Sequence, residues 1–509
     1  MIIGYSKVVM NNKKKLSPDL REFFSLVQGA IQTNPFNAER MDFDLKLSGL
    51  PQGTPIKKQV EKAVYEVGER IKKLEEGERV DVRRYSGKDR QLVLAAVLFH
   101  YFYLFREKFD QFILDQMEAG DNSLKVPFAQ EALSLLRKKG LTAEESCRYF
   151  ALSYQLRRAY FFINRRLVGR SPAMTELRFN LWNNVFTHNI DLYERYLISR
   201  MEDFSTLFLG ETGTGKGIAA MALGCSGFIP FNEKKKSFLE SFTRSFVSIN
   251  LSQYPDTLIE SELFGHKKGA FTGAVTDHIG VFGRCSPYGA ILLDEIGEVK
   301  SHLQIKLLQV LQERIFLPVG SHRKSRFQGR VIAATNTPIG SLRAKKGFRD
   351  DFYYRLSSDI ITVPPLRKRI QENPDELHDL LSYTIKKIVG VPSPEMIHMI
   401  KKVIDTSLGP DYNWPGNVRE LEQCVRRVIL SRRYEGDRVK PDVKDITSRL
   451  QQGIHTGKMD AQQLLSGYCS MLYQRFGTFE EVARRTNLDR RTVKKYIKEW
   501  AHDSDQEPA

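Results

Sequence analysis

The segment Gly210-Glu211-Thr212-Gly213-Thr214-Gly215-Lys216-Gly217 carries the clearest chemistry in the chain. Its glycines let backbone N–H groups close around an anion, and Lys216 brings a positive charge to it. The spacing GxxxxGK, after the apolar run Thr206 to Leu209 and before a helical stretch, is that of a P-loop. Such a loop holds nucleotide phosphates, and the helix N-terminus adds its partial positive charge. The Ser or Thr that ordinarily follows the lysine is Gly217 here, so no hydroxyl is offered to Mg²⁺ at that position. Asp294 and Glu295 end a second apolar run, Ala290 to Leu293. Four apolar residues before two carboxylates predict a buried strand with acids at its C-terminal edge. There Asp294 holds Mg²⁺ through water and Glu295 polarises an attacking water. A third run, Arg330 to Ala334, delivers Thr335 and Asn336 to the same edge, where a short polar side chain can sense a γ-phosphate.

Three arginines extend this set. Arg349 and Arg355 lie in FRDDFYYRL among aromatic and acidic residues. One reading is an ion pair with Asp350 or Asp351. The other is an arginine finger reaching a neighbouring subunit's site, which requires an oligomer. Arg419 follows the rigid turn Trp414-Pro415-Gly416. With Asn417 as a helix cap, Arg419 falls in the first turn, where a cation opposes the helix dipole and calls for an anionic partner. Between the P-loop and the acidic strand lies Gly269-Ala270-Phe271-Thr272-Gly273-Ala274, with glycines near both ends and an uncharged centre. Composition alone favours a packed turn; position among nucleotide motifs favours a moving loop.

These residues need a scaffold of strands separated by helices, which argues for a largely parallel α/β sheet over residues 166–372. The pattern turns helical over 373–434, as a lid. Residues 1–165 read as mostly α. Val60, Val64, Val67 and Ile71 recur at helical spacing, and the apolar stretch Leu92 to Phe105 predicts a buried core helix too short to span a bilayer. A polar linker is expected over 435–457. Residues 458–509 read as an all-α helix–turn–helix, with Ala483 where two helices cross, Asn487 at a left-handed turn, and Leu488, Val493 and Ile497 on the apolar face. Its second helix presents Arg490, Arg491, Thr492, Lys494, Lys495 and Lys498 to bases and phosphates. A stripe on the preceding helix serves either a dimer or the domain's own core.

Composition sets outer bounds. Lys+Arg 78 against Asp+Glu 61 gives +17, which suits a polyanionic partner such as nucleic acid. Five cysteines without a CxxC pair or a His cluster argue against a metal site or disulfide framework and fit a reducing cytoplasm. The N-terminal apolar residues precede Lys13, Lys14 and Lys15, the reverse of a secretion signal.

Taken in order, the motifs resemble the central domain of sigma-54-dependent transcriptional activators, the bacterial enhancer-binding proteins. The likeness runs from Val168 to Arg433. It rests on ESELFGHKKGAFTGA, DEIGE, LLQVLQE, FRDDFYYRL, VPPLRKR and WPGNVREL. It implies an AAA+ ATPase that hydrolyses ATP with Mg²⁺ and assembles from dimers into a hexameric ring. It also implies that the GAFTGA loop contacts sigma-54, through Thr272 and Phe271, and remodels the closed promoter complex of RNA polymerase. By the same resemblance Asn250 couples Glu295 to nucleotide state, and Arg349 and Arg355 act in trans. Thr335 and Asn336 form sensor I, and Arg419 is sensor II. The family commonly has Glu where this chain has Gly217. Phe179 to Ser205 and Gly224 to Phe246 are longer than the family pattern, and the second holds Lys234-Lys235-Lys236, expected in a solvated loop. The C-terminal segment resembles a Fis-type domain for duplex DNA. The expected function is transcriptional activation in the cytoplasm. The rivals are a DNA-binding repressor using ATP for assembly and a remodeller of another protein. Residues 1–165 show no receiver-like β/α alternation, which leaves a helical regulatory module.

Overall fold

Five parallel strands carry the predicted motifs at their ends: β1 (Thr206–Leu209), β2 (Phe246–Asn250), β3 (Ala290–Asp294), β4 (Arg330–Thr335) and β5 (Asp359–Thr362). Their order across the sheet is β2-β3-β4-β1-β5. The computed structural model describes residues 13–75, 80–344, 348–410, 412–436, 446–457 and 459–505. Register places Leu209 beside Thr335, and Asn250 beside Asp294, so the polar strand ends lie along one edge.

Successive side chains on a strand point to opposite faces, and here both faces are covered. Leu207, Ile291, Leu293, Val331 and Ala333 share a core with the helices Asp256–Phe264, Ser301–Glu313 and Asp350–Leu356. Phe208, Leu292, Ile332 and Ala334 face the other way, onto the P-loop helix Lys216–Gly224 and the N-terminal helices. Double burial accounts for the near-continuous apolar runs of the sequence.

The N-terminal region is helical, as expected: Pro18–Gln32, Ala38–Ser48, Ile56–Glu75, Gly87–Ala119, Ala129–Lys138 and Ala143–Tyr160. Local chemistry sets several starts. Ser17 caps the first helix with Pro18 at its first position, and Thr142 with Glu145 forms a capping box. The stretch Leu92 to Phe105 lies inside Gly87–Ala119 with Leu92, Ala96, Tyr101 and Phe105 fully buried. No described helix is long and apolar enough to cross a membrane.

The change in secondary structure near residue 165 is not a gap in packing. Residues up to Tyr434 cluster as one compact unit, and a single core joins the N-terminal helices to the sheet. The two long segments make that join. In the first, Phe179 O and Asn183 Oδ1 accept from Asn34 Nδ2 at 3.0 and 2.9 Å, and Tyr193 pairs with Gln155 in the interior. In the second, Phe231–Asn232 and Ser237–Phe238 form a small hairpin. The Phe238 ring stacks on Tyr154 at 4.2 Å, and Phe242 meets Phe162 edge-on at 5.4 Å. Lys234 to Lys236 are exposed in the turn, as expected, but the Lys236 carbonyl accepts from Val126 N at 2.8 Å. Arg158 is fully buried beneath, donating to the carbonyls of Cys225 and Gly227, and burial pulls its guanidinium below the ordinary value.

The lid helices Leu366–Glu372, Asp375–Val389, Pro394–Ser407 and Asn417–Ser431 enclose their own core of Leu380, Leu381, Ile400, Leu421 and Val425. Residues from Glu435 onward form a second compact unit. Part of the expected linker is ordered: Ile446–Thr456 is a helix, because Ile446 and Leu450, one turn apart, pack on Trp500. The helices Ala461–Phe476, Phe479–Thr486 and Arg490–Asp505 follow, around Cys469, Leu472, Val482 and Val493.

Candidate functional site: a phosphate cradle and a projecting loop

The loop after β1 is shaped by close backbone contacts. Gly213 has φ 78°, and a Cβ there would lie 2.1 Å from the Gly416 carbonyl oxygen. Gly215, at φ 105°, has open space where a side chain would start. Lys216 Nζ donates to the Gly210 and Glu211 carbonyls at 2.7 and 3.1 Å. Burial lowers the Lys216 ammonium from its ordinary value, opposed by Glu295 and Asp294. A cavity of about 420 Å³ opens beside the loop. The P-loop residues Thr212 to Gly217, with Asn250, Asp294, Glu295 and Arg419, supply its polar wall; Val168, Met174, Leu177 and Leu380 supply apolar wall. A phosphate-binding end with an apolar flank suits a nucleotide, and the open space at Gly215 and Gly217 leaves the cradle clear.

Asp294 ends β3, and its carboxylate accepts from Glu295 N at 3.1 Å. Glu295 itself is left-handed, at φ 56° and ψ 45°. A non-glycine residue there carries strain of order 1–2 kcal/mol. Asn250 lies beside Asp294 in register, and its Oδ1 accepts from Ser252 N and Oγ at 3.0 and 2.8 Å. No hydrogen bond joins Asn250 to Glu295 among the described residues. The two predicted sensor residues separate: Asn336 Nδ2 donates to Thr212 Oγ1 at 3.1 Å, whereas Thr335 is buried and accepts from Thr337 N.

The lid touches the cradle through residues that the sequence reading assigned other work or none. Gly416, not Asn417, occupies the N-cap of Asn417–Ser431. Asn417 at φ 54° instead donates to Thr212 O at 3.0 Å and Glu211 Oε2 at 3.2 Å, while its Oδ1 accepts from Leu366 N. Its side chain is taken by the P-loop and so is not free to cap. Arg367 grips Glu211 with two bonds, 2.8 and 2.5 Å, and holds that carboxyl below the usual carboxylate range. Both residues stood in VPPLRKR and WPGNVREL, but their partner is over 150 positions away. Arg349 caps Asp350–Leu356 and pairs with Asp351 at 2.7 Å; Arg355 donates to Leu311 O at 3.1 Å. Neither lines the cavity.

The GAFTGA segment lies on the connection between β2 and β3. Below it, His266 and His278 exchange backbone bonds of 3.0 and 2.9 Å, and Gly269 N donates to Ala274 O at 2.8 Å. Gly269 and Gly273 have φ 81° and 98°. Phe271 rests edge-on against His266, 4.9 Å between ring centres, yet is 38% exposed; Thr272 is exposed, and Ala274 is buried. Val319 bridges the base, accepting from Lys267 N and donating to Gly265 O, and Ala270 sits against Gly320. Nothing local marks that support in the sequence, since Val319-Gly320 lies past the acidic strand and carries no nucleotide motif.

In the second unit, Asn487 turns the chain at φ 55° between two helices. Asp489 starts the next helix by accepting from Arg491 N and Thr492 N, and also takes the Thr492 hydroxyl. Arg490, Arg491, Lys494, Lys495 and Lys498 are exposed. Arg490 also pairs with Glu480 at 2.9 Å.

Residues 186–362 match the family described as the Sigma-54 interaction domain. The chain is 37% identical over 302 residues to the Nif-specific regulatory protein of Azotobacter vinelandii, covering 58% of this chain and 49% of that protein. It is 34% identical over 252 residues to the regulatory protein AtoC of Escherichia coli, covering 49% and 50%. The hydrogenase transcriptional regulatory protein HoxA of Cupriavidus necator is 38% identical over 227 residues, covering 45% and 43%. The chain thus spans about half the length of the curated relatives it matches. The P-loop, the acidic strand and the GAFTGA loop all fall within this matched stretch, so residues 186–362 are similar to the Sigma-54 interaction domain in motif order as well as in sequence.

Proposed function

We propose that this protein binds and hydrolyses ATP and uses the energy to act on sigma-54 through the Gly269–Ala274 loop. The observation that carries the reading is connectivity. The loop lies on the segment that leaves β2 at Asn250 and re-enters the sheet at Ala290; Asn250, and Asp294-Glu295 at the far end of β3, face the nucleotide cavity. A change at the phosphates therefore acts on one root of the loop directly, at Asn250, and on the other along the length of β3.

In this reading Gly210 to Gly217 hold the phosphates, with Lys216 leaving its carbonyl partners for a phosphate oxygen. Asp294 would hold Mg²⁺, which would supply positive charge against the phosphates. Glu295 orients the attacking water, and Asn250 shifts from Ser252 towards Glu295 as the γ-phosphate changes. Asn336 reports on the same phosphate through Thr212. Arg419 contacts phosphate from the lid. Arg349 and Arg355, off their own cavity, serve a neighbouring subunit's site in a ring, and Arg349 exchanges Asp351 for phosphate. The C-terminal unit binds duplex DNA upstream of promoters through the basic helix at Arg490–Lys498. The setting is the cytoplasm, and the outcome is an open promoter complex of sigma-54 RNA polymerase.

The test is Glu295→Gln in a promoter-opening assay with purified sigma-54 RNA polymerase. It is expected to bind ATP as the unmodified protein does, lose turnover by about a hundredfold or more, and open no promoter. Promoter opening at the unmodified level, with turnover gone, would refute the coupling of hydrolysis to output.

A further inference from the structure

A second cavity, about 1230 Å³, opens between the N-terminal helices and the helix Pro172–Phe186. One part of its wall is aromatic. The Phe36 ring stacks on Tyr160 at 5.7 Å with an 8° tilt, and meets Trp182 edge-on at 6.1 Å. Another part is cationic. Arg157 and Arg40 on this wall are matched by Asp110 and Asp44. Arg178 is 7% exposed and has no carboxylate within ion-pair distance among the described residues; Glu376, farther off and already paired with Arg369, offsets only part of its charge. One of its terminal nitrogens donates to the Leu167 and Gly169 carbonyls, and its Nε is buried with no partner. A buried cation with an unused donor is costly unless an anion meets it.

The strap of chain at 164–171 separates this cavity from the nucleotide cavity. Arg166, Leu167 and Val168 line the nucleotide cavity, and Asn164, Arg165, Gly169 and Arg170 line the second. The same strap holds the lid: Arg170 N donates to Glu376 at 2.7 Å, and the Arg170 guanidinium pairs with Asp379 at 2.5 Å. Gly169 is packed so closely that a Cβ would lie 2.1 Å from Glu376 Oε1.

We propose that this cavity binds a small organic anion with an aromatic body, and that occupancy reaches the nucleotide site through the strap. The ring lies against Phe36, Tyr160 and Trp182, and the anionic group meets Arg178. Inorganic phosphate would leave the aromatic wall in water, and a neutral hydrocarbon would leave the Arg178 charge without a counter-ion in the cavity. An anion drawing on Arg178 competes with its bonds to Leu167 and Gly169, and so loosens or shifts the strap. The binding claim is independent of any action on sigma-54.

The experiment uses the full chain and the fluorescent probe 1-anilinonaphthalene-8-sulfonate. Saturable binding is expected, displaced by 1-naphthoate and at least about tenfold less well by the neutral isostere 1-naphthamide. Arg178→Met should weaken the probe about tenfold or more. Because Arg178 also braces the strap, Ala95→Trp provides a second variant, filling the cavity from the helix Gly87–Ala119 without touching Arg178. It should abolish binding with an unchanged melting temperature. Saturating 1-naphthoate should shift the affinity for a fluorescent ATP analogue by about threefold or more, and should not do so in Ala95→Trp. Equal displacement by 1-naphthamide would overturn the anion assignment. Probe binding unchanged in Ala95→Trp would overturn the site, and an unmoved nucleotide affinity would overturn the coupling.

Discussion

Two glycine-bearing loops leave the same sheet, and opposite conditions hold them. In the cradle after β1, Gly213 is crowded as well as left-handed: a side chain would run into the Gly416 carbonyl. In the loop between β2 and β3, Gly269 and Gly273 are left-handed but open, with nothing within 4 Å of a would-be Cβ. The cradle is fixed by what presses on it, from the lid as much as from the sheet. The projecting loop is fixed by its own backbone bonds at the base, and its tip is left to the solvent. Similar glycine content therefore serves a rigid ligand site in one place and a reshapeable surface in the other.

Substitutions that separate crowding from backbone angle test this difference. Gly213→Ala meets both penalties against backbone that cannot swing away. It should lose nucleotide affinity by about a hundredfold and stability by about 3 kcal/mol or more, read by fluorescent-nucleotide titration and urea unfolding. Gly273→Ala meets only the angle, about 1–2 kcal/mol, and should leave nucleotide affinity unchanged in the same titration. If the two variants bind nucleotide equally, the contrast fails.

A smaller effect probes the clasp between lid and cradle. The Arg367–Glu211 pair is about four-tenths exposed on each side, so Arg367→Ala should cost no more than about 1 kcal/mol. Its pH dependence has a definite sign. Arg367 holds the Glu211 carboxyl below its ordinary value of 4.5, so the pair's contribution is fully present above that value. It is lost as pH falls through the lowered folded value. The melting-temperature gap between the unmodified protein and Arg367→Ala should therefore persist at neutral pH and close in acid.

The smallest effect is expected at Gly217, where a Cβ meets open space. Gly217→Ser should change stability by less than about 0.5 kcal/mol and lower the Mg²⁺ concentration needed for half-maximal turnover. An unchanged Mg²⁺ requirement would mean that the hydroxyl does not reach the ion.

Most of the sheet and its edge was legible because the information is local. Apolar runs end in Asp294 or Thr335, and the glycines of the P-loop follow β1 directly. What escaped is long-range. Phe231, Phe238 and Phe242 follow neither a strand nor a helix period, and their partners Phe150, Tyr154 and Phe162 lie some 80 positions earlier. Nothing near the lysine turn says that it is pinned to Val126. Asn417 read as a cap because cap preferences are local, whereas its actual partners sit on the P-loop. The helix Ile446–Thr456 escaped because, of its three large apolar residues, Ile454 is exposed and only Ile446 and Leu450 pack, on Trp500.

The central claim is that the cradle turns over ATP while the loop delivers the work, and Thr272→Ala separates the two. Promoter opening by sigma-54 RNA polymerase should be measured for this variant and the unmodified protein at matched ATPase rates. The account predicts hydrolysis within about twofold of the unmodified rate, with no open complex formed. Open complexes at the unmodified level would contradict it, and the loop would then have no part in the output.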